Sequence, residues 1–296
     1  MTKQTLGVFL TTFERTDCLN IWIDLIKKQT IQPNKILVVD NSESDSVYHY
    51  FENKPISYLR VGFNSGPAGA ASIGLKKLYE EGYDWIYWGD DDDPPTDPGT
   101  FERLLEIGNS SPSTGIVGKV GGRFISNRGR TRVYTNSELK PILVSDYVPG
   151  NKHILVSSKV IRHGIVSDPK LFFGFEELEF CLRVKDAGFL ILVDGKGMMD
   201  ARIKAGNLSP GYKWKGKSIG DLSRINRQYY SVRNMLYILW SRGEYLGYFY
   251  FLIKSLVKLP FSIKYGFSYF RKLSGLYGTA IFHHLTGRYG QYIATK

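Results

Sequence analysis

Cysteine is scarce in this chain of 296 residues, which contains two, Cys18 and Cys181. They lie far apart and lack the spacing of metal ligands, so the sequence excludes a disulfide framework and a cysteine-ligated zinc site. We expect both to be reduced thiols in the core of a cytoplasmic protein. The pattern of a signal peptide is also missing, and no uninterrupted apolar run reaches the length of a membrane span. We therefore expect neither secretion nor a transmembrane helix.

Acidic residues are nearly absent from the C-terminal third. From Arg202 onward sixteen lysines and arginines accompany two acids, Asp221 and Glu244, a balance of +14, whereas residues 1–201 sum to −3. The same region is rich in aromatic residues: Tyr245, Tyr248, Phe249, Tyr250, Phe251, Phe261, Tyr265, Phe267, Tyr269 and Phe270. A membrane face fits this mixture better than nucleic acid does, and we expect no nucleic-acid partner. The alternative is that this face packs on the rest of the chain or on a second subunit, as a homo-oligomer.

Short apolar runs alternate with amphipathic stretches in the first part of the chain. The runs at 6–12, 36–40, 57–61 and 85–88 predict buried strands, and the stretches at 18–28 and 68–79 predict helices. Strands that alternate with helices predict parallel βαβ units in an α/β fold.

A second portion begins at Gly115. Residues 121–147 predict loops or a hairpin over the site, residues 153–160 and 189–193 predict strands, and residues 169–183 predict a loop entering a helix. After about residue 205 the pattern changes to long helical segments, roughly 219–241 and 244–273. We divide the chain into an α/β domain at residues 1–204 and a helical, basic-aromatic extension at residues 205–296.

Polar side chains follow three of the predicted strands, at Thr12 to Arg15, at Asp40-Asn41 and at Asp90 to Asp93. In parallel α/β sheets, ligands gather at the carboxyl ends of strands. Four adjacent carboxylates repel one another, and a bound cation would neutralise them. Oxygen ligands select Mg²⁺ or Mn²⁺, which commonly bridge to phosphates. A solvated acidic turn is the alternative, but the position directly after an aromatic strand favours the metal site.

Two further motifs are weaker. Asp40 could accept hydrogen bonds from a base or ribose, or it could cap a helix. The segment that starts at Asn64-Ser-Gly leads into a helix whose first amides could approach phosphate or ribose closely. It does not match a dinucleotide-binding fingerprint.

Three glutamates open a predicted helix in Phe172-Phe-Gly-Phe-Glu-Glu-Leu-Glu-Phe-Cys-Leu-Arg. Glu179 and Arg183 lie four residues apart and predict a structural ion pair. Glu176 or Glu177 could act as a general base if its carboxylate reaches an acceptor hydroxyl. Acidic residues are also favoured in a first helical turn without any catalytic role.

The motifs occur in a specific order, which is Thr11-Thr-Phe-Glu-Arg, Val38-Val-Asp-Asn, Asn64-Ser-Gly-Pro-Ala-Gly, Trp88-Gly-Asp-Asp-Asp and Phe173-Gly-Phe-Glu-Glu-Leu-Glu-Phe-Cys-Leu-Arg. In this order, over about residues 5–235, the chain resembles the family 2 inverting glycosyltransferases with the GT-A fold. Within that family, the chain looks most like the bacterial rhamnosyl- and galactofuranosyltransferases that build polysaccharides. Arg233-Asn234 after Tyr229-Tyr230 also resembles a dipeptide common in that subgroup. The resemblance implies a Rossmann-like, mostly parallel sheet.

The resemblance also implies roles for individual residues. Nucleotide contacts would come from Thr11, Phe13, Arg15, Asp40, Asn64, Gly66 and Asp91. Asp90 and Asp92 would hold a Mn²⁺ or Mg²⁺ ion, and Glu177 would be the catalytic base. Further donor or acceptor contacts would come from Trp88, Gly150, Asn151, His153 and Glu176. The donor would be a UDP- or dTDP-sugar and the acceptor a lipid-linked glycan at the inner face of the cell membrane.

Two departures from the family pattern stand out. The base is usually aspartate, and the chain has the longer Glu177. A metal-binding histidine often follows the next strand, and by spacing Asp200 takes that place, so we expect an added oxygen ligand. Two alternative functions remain open: a nucleotidyltransferase, whose basic glycine-rich signature is missing between Leu6 and Arg15, and a membrane-bound nucleotide-sugar or glycan binding protein without catalysis.

Overall fold

The computed structural model describes residues 4–52, 54–150, 152–206 and 222–293. Its strands are β1 (Leu6–Thr12), β2 (Lys35–Asp40), β3 (Ser57–Arg60), β4 (Trp85–Asp90), β5 (Thr114–Gly118), β6 (Gly122–Ile125), β7 (Arg130–Val133), β8 (Leu143–Val144), β9 (Ile154–Ser157) and β10 (Leu190–Val193). Its helices are α1 (Asp17–Lys27), α2 (Ser46–Phe51), α3 (Gly66–Glu80), α4 (Thr100–Asn109), α5 (Ser158–Arg162), α6 (Glu176–Asp186), α7 (Gly195–Lys204), α8 (Arg227–Ser241), α9 (Tyr245–Phe261) and α10 (Phe267–Leu285).

Eight strands form one sheet in the order β3-β2-β1-β4-β9-β5-β10-β8. β3, β2, β1 and β4 are parallel neighbours, and β10 is parallel to β5. β9 runs antiparallel between β4 and β5, and β8 runs antiparallel to β10. The predicted α/β fold with a mostly parallel sheet is confirmed.

Helices cover both faces of this sheet, which explains why its central strands are mostly apolar. Every residue of β1 is buried. On one face, α1 packs Leu19, Trp22 and Ile26 against the sheet in one apolar cluster. On the other face, α3 and α6 belong to a second cluster that continues into α8 and α10.

The second portion contains the predicted hairpin, β6–β7, in which Gly122 pairs with Val133 and Ile125 with Arg130. The predicted strand at 153–160 is shorter than expected because Ser157 caps a helix, its side chain accepting a hydrogen bond from the Lys159 amide. The predicted helical segment at 244–273 is divided, since the chain passes from α9 to α10 through Gly266 with φ of 103°. The division of the chain at residue 204 stays a prediction.

One segment among the described residues, Tyr245–Tyr265, is long and apolar enough to cross a membrane by length and composition. The most apolar stretch of these 21 residues has a mean hydropathy of 1.3, and 22% of that stretch is buried inside the protein. Lys254, Lys258 and Lys264 interrupt this segment, so it is not the uninterrupted apolar run that the sequence analysis looked for. Length and composition do not by themselves distinguish a span from a helix that lies on a membrane surface.

Candidate active site

A cleft of about 580 Å³ opens at the carboxyl ends of β1, β2 and β4. The sheet and α3, α6 and α8 all contribute to its wall. The lining residues are Thr11, Thr12, Phe13, Arg15, Asn41, Asn64, Pro67, Ala70, Asp90, Asp91, Asp92, Gly150, Phe172, Phe173, Gly174, Glu176, Glu177 and Arg227. The structure therefore brings most of the predicted site residues into one cavity.

Hydrogen bonds join the ends of β1 and β4 at the aspartate run. Thr11 Oγ1 donates to Asp90 Oδ1 at 2.9 Å, and Thr12 Oγ1 donates to Asp91 Oδ2 at the same distance. Arg15 donates from Nη1 to the other oxygen of Asp91 at 3.0 Å. Asp91 is thus occupied in orienting Arg15, whose Nη1 also lies 3.6 Å from Oδ2 of Asp92. Asp90 and Asp92 both line the cleft.

The acidic groups of the cleft fit a hard cation. Burial, followed by the charges of the neighbouring aspartates, raises the pKa of Asp90 to about 6 although Thr11 donates to it. Two buried carboxylate oxygens, Oδ2 of Asp93 and Oε2 of Glu176, have no hydrogen-bond partner. Asp92 is exposed, with half of its side chain accessible. A divalent cation on Asp90 and Asp92 would relieve this concentration of negative charge.

The described residues contain no group of three His, Cys, Asp or Glu side chains arranged to hold a metal by themselves. A cation held by two of the aspartates would therefore need further ligands, such as water and phosphate oxygens.

Glu176 and Glu177 enter the same cleft from the first turn of α6. Glu176 is buried, and burial followed by the Asp90 charge raises its pKa to about 7. Burial, then Glu176 and Asp90, raise the pKa of Glu177 well above the ordinary glutamate value. Gly150 lies directly against Glu177, and a Cβ at Gly150 would overlap Oε1 of that carboxylate. The carboxylate of Glu177 therefore occupies the space that a side chain at position 150 would need.

Two asparagines organise the side of the cleft where β2 ends and α3 begins. Asn41 Oδ1 accepts from the amide and hydroxyl of Ser65 at 3.0 and 2.7 Å, and Asn64 Oδ1 accepts from the amide of Gly66 at 3.1 Å. Gly66 has φ of 71°, and a Cβ there would overlap the carbonyl oxygen of Phe172. Gly66 thus allows the start of α3 to approach the loop before α6, and it does not line the cleft itself.

Asp40, predicted as a nucleotide contact, lies beneath the cleft. It is fully buried, and its Oδ1 accepts from the amide of Ser42 at 2.9 Å. Its Oδ2 accepts a hydrogen bond from the Tyr58 hydroxyl. Both oxygens have partners inside the protein, and the residue that lines the cleft at this strand end is Asn41.

Trp88 and His153 also lie behind the cleft. Both line a small cavity of about 10 Å³ together with Asp90, Asp93 and Glu177. Trp88 is buried between Phe9 and Phe180, with ring centroids 6.3 and 6.0 Å away, as a core aromatic would be. His153 has φ of 54°, and burial followed by nearby lysines lowers its pKa to about 4.

The structure does not bring Asp200 to the cleft. Asp200 lies on α7 with its side chain 57% exposed, and Lys196 Nζ contacts its Oδ2 at 2.7 Å. The spacing of four residues on a helix favours such an ion pair. The sequence prediction of a third metal ligand at this position has no support in the geometry. Asn151 lies outside the described residues.

Several residues that line the cleft were not predicted as site residues from the sequence. Phe172, Phe173 and Gly174 line the cleft from the loop before α6, and the aromatic character of this loop was a readable signal. Arg227 reaches the cleft from the start of α8, with its guanidinium 5.3 Å from the centre of the Phe173 ring. Nothing near Arg227 in the sequence distinguishes it from the other basic residues of the C-terminal region.

The α/β fold and the cleft at its strand ends are those of a glycosyltransferase, and the comparisons with known proteins identify the family. The sequence of the chain matches the protein-family model Glycosyl transferase family 2 over residues 8–166, more than half of the chain. The chain belongs to this family and is a glycosyltransferase of the GT-A fold. The match contains Asp90, Asp92 and Gly150 and ends before Glu177.

Two relatives are galactofuranosyltransferases. Galactofuranosyltransferase GlfT1 of Mycobacterium tuberculosis is 28% identical over 204 residues, 64% of this chain and 66% of that protein. Galactofuranosyltransferase GlfT1 of Mycolicibacterium smegmatis is 30% identical over 101 residues, 33% of each chain. Each match spans less than two thirds of the relative.

Two solved structures share the fold. The mannosyltransferase PcManGT from Pyrobaculum calidifontis, in complex with GDP-Man and Mn²⁺, has a TM-score of 0.54 at 12% identity over 97% of this chain and 89% of that one. GalNAc-T7 with UDP, GalNAc and Mn²⁺ has a TM-score of 0.50 at 14% identity over 66% of this chain and 43% of that one. At these identities the likeness concerns the fold alone.

Proposed function

We propose that this protein transfers a sugar from a nucleotide diphosphate to a hydroxyl group with inversion at the anomeric carbon. The observation that carries the proposal is that Glu177 shares one cleft with the aspartates that end β4. A base and a leaving-group site that face the same space allow a single displacement, in which the acceptor attacks on the face opposite the departing diphosphate.

The donor occupies the half of the cleft that β1, β2 and α3 form. Phe13, Asn41 and Asn64 face the nucleoside, and Arg15, held by Asp91, lies within reach of phosphate oxygens. Asp90 and Asp92 would hold a Mn²⁺ or Mg²⁺ ion. When bound, the ion supplies positive charge that neutralises the diphosphate leaving group.

The acceptor occupies the half that α6 and α8 form. Glu177 removes the proton of the attacking hydroxyl as the new carbon–oxygen bond forms and the bond to the diphosphate breaks. Its raised pKa makes the carboxylate a stronger base than a solvated glutamate. Phe173 and Arg227 provide an aromatic surface and a cation beside the acceptor.

The relatives support one class of donor. Similarity to GlfT1 favours galactofuranose from its uridine diphosphate, and rhamnose from its deoxythymidine diphosphate is the second candidate. The acceptor is a lipid-linked glycan of bacterial surface polysaccharide synthesis.

The test is saturation-transfer NMR and nucleotide release with a panel of sugar nucleotides, with Mn²⁺ and with excess chelator. We expect UDP-galactofuranose or dTDP-rhamnose to bind and to release nucleotide in the presence of Mn²⁺. Glu177→Gln should bind the same donor and release nucleotide at about one hundredth of the rate or less. Binding without turnover in both proteins would instead indicate a nucleotide-sugar binding protein.

We further propose that the C-terminal helices attach the protein peripherally to the inner face of the cell membrane. α9 and the start of α10 expose large apolar side chains, among them Leu246, Ile253, Phe261 and Phe267 at 83%, 60%, 68% and 67%. Lys254, Lys258, Lys264, Arg271 and Lys272 stand among them. Each basic residue near an anionic leaflet contributes roughly 1 kcal/mol, and the apolar side chains add burial in the interface.

Co-sedimentation with vesicles tests this attachment. The wild-type protein should bind vesicles that contain phosphatidylglycerol, and high salt should release it, whereas a membrane-spanning helix would resist both salt and alkaline washing. Ile253→Asp should weaken binding. Ile21→Asp is the matched control, because Ile21 on α1 is 61% exposed, nearly the same as Ile253. Equal loss in both variants, or no binding by the wild type, would contradict membrane attachment and favour a subunit interface.

A further inference from the structure

A buried arginine–asparagine pair on α8 contacts the loop that leads into α6. Asn234 has no exposed surface and Arg233 is 1% exposed. Nδ2 of Asn234 donates to the carbonyl oxygens of Leu171, Phe173 and Gly174 at 2.9, 3.0 and 2.7 Å. Nη2 of Arg233 donates to the Leu171 carbonyl at 2.9 Å. The two hydrogens of the Asn234 amide are thus shared among three carbonyls, and both side chains bind a single short loop.

The orientation of the asparagine amide is determined by its neighbour. Nε of Arg233 donates to Oδ1 of Asn234 at 3.0 Å, so the amide nitrogen must face the loop carbonyls. Nη1 of Arg233 donates to the carbonyl of Gly290 at 2.8 Å. The pair therefore connects the loop before α6 to the segment that follows α10.

The loop has a backbone that needs such support. Phe172 and Phe175 have φ of 59° and 67°, and Gly174 between them has φ of 82°. A phenylalanine adopts this left-handed conformation only where the surroundings hold it. Phe175 is the residue before α6, and Glu177 is the second residue of that helix. A change in this loop therefore moves the start of α6 and, with it, the carboxylate of Glu177.

We propose that Asn234 and Arg233 are positioning residues, which set the place of the Glu177 carboxylate by holding the carbonyls of Leu171, Phe173 and Gly174. This inference rests on the proposed role of Glu177 as the base. Asn234 is fully buried and meets no substrate, so it acts only through the loop. Misplacing a catalytic group by about 1 Å lowers a rate by as much as about 100-fold. Donor binding, in contrast, uses the opposite half of the cleft.

The decisive variants are Asn234→Asp and Asn234→Ala. The aspartate keeps the size of the side chain and turns oxygen, in place of the amide donor, towards the three carbonyls. Ile238→Ala is the matched control, because Ile238 is fully buried on the same helix and belongs to the apolar cluster of the core. All three should lower the melting temperature. Only the Asn234 variants should speed amide hydrogen exchange in residues 171–177, by about tenfold or more.

Kinetics with the donor that the wild type accepts give the second measurement. Both Asn234 variants should lower kcat by about ten- to 100-fold and leave the KM for the donor within about twofold, whereas Ile238→Ala should keep wild-type kcat below its melting temperature. Wild-type exchange in the loop, or equal loss of kcat in Ile238→Ala, would overturn the proposal. If the wild type turns over no donor, the proposed reaction fails, and hydrogen exchange still decides whether Asn234 holds the loop.

Discussion

Gly150 and Glu177 are in direct contact across the cleft, 27 positions apart in the chain. The carboxylate of Glu177 lies where a Cβ at position 150 would stand. The loop after β8 thereby helps to enclose the proposed base, and enclosure raises the pKa of Glu177. The contact also explains why position 150 is a glycine, which the turn pattern of the sequence does not indicate.

This contact predicts that Gly150→Ala lowers activity through Glu177. The added methyl group must displace the carboxylate, so we expect kcat to fall by about tenfold or more while nucleotide binding changes little. Overpacking of this kind commonly costs about 1–3 kcal/mol of stability. Gly278→Ala on α10 is the control, since a Cβ there meets no atom within 4 Å. Unchanged kcat in Gly150→Ala would show that the carboxylate can move without consequence.

The two adjacent glutamates can be separated by substitution. Glu177→Gln should lower kcat by about two orders of magnitude and leave donor affinity nearly intact, because the amide keeps the shape and cannot take a proton. Glu176→Gln should have a smaller effect. If steady-state kinetics show the larger loss in Glu176→Gln, the base is Glu176. Wild-type rates in both would make the first turn of α6 structural.

The aspartate run predicts that nucleotide binding depends on a divalent cation. Asp92→Asn should weaken the binding of UDP in the presence of Mn²⁺ by about tenfold or more, as measured by titration calorimetry. Asp24→Asn on the exposed face of α1 removes one charge far from the cleft and should bind UDP as the wild type does. Equal affinity for UDP with Mn²⁺ and with excess chelator would argue against a cation at Asp90 and Asp92.

Asp200 should have little influence on that cation. Its carboxylate pairs with Lys196 on an exposed helix face, outside the cleft. Asp200→Ala should therefore leave Mn²⁺-dependent UDP affinity within about twofold, in contrast to Asp92→Asn. A loss comparable to that of Asp92→Asn would restore the ligand role that the spacing of the sequence predicts.

The sheet could be predicted well because each strand is marked by neighbouring residues in the sequence. Each strand of the parallel half is an apolar run, and polar residues mark the strand ends where the cleft opens. Asp200 shows how far sequence spacing can be used. The family pattern predicts a metal ligand at this position, whereas the spacing of four residues from Lys196 predicts an ion pair. Arg227 and Asn234 could not be placed, because their positions depend on how α8 packs against a loop more than fifty residues earlier.

The raised pKa values of the glutamate pair predict a specific pH dependence. A base must be ionised to act, so kcat/KM should rise with pH through the elevated pKa of Glu177, at a higher pH than an ordinary glutamate would give. Burial is the main cause, and the charge of Glu176 is the second. Glu176→Gln removes that second cause, so the rise of kcat/KM with pH should occur at lower pH in this variant than in the wild type.

Stability should change in the opposite direction. A carboxyl group with a raised folded-state pKa binds its proton more tightly in the folded protein than in the unfolded chain. Its contribution is therefore present at low pH and is lost as the pH rises through that pKa, which for Glu176 is about 7. Melting temperatures measured without metal from pH 5 to pH 8 should fall less steeply in Glu176→Gln than in the wild type. If the melting temperatures of the two proteins change with pH in the same way, Glu176 titrates with an ordinary pKa. The shift of the acid limb of kcat/KM would then need another cause.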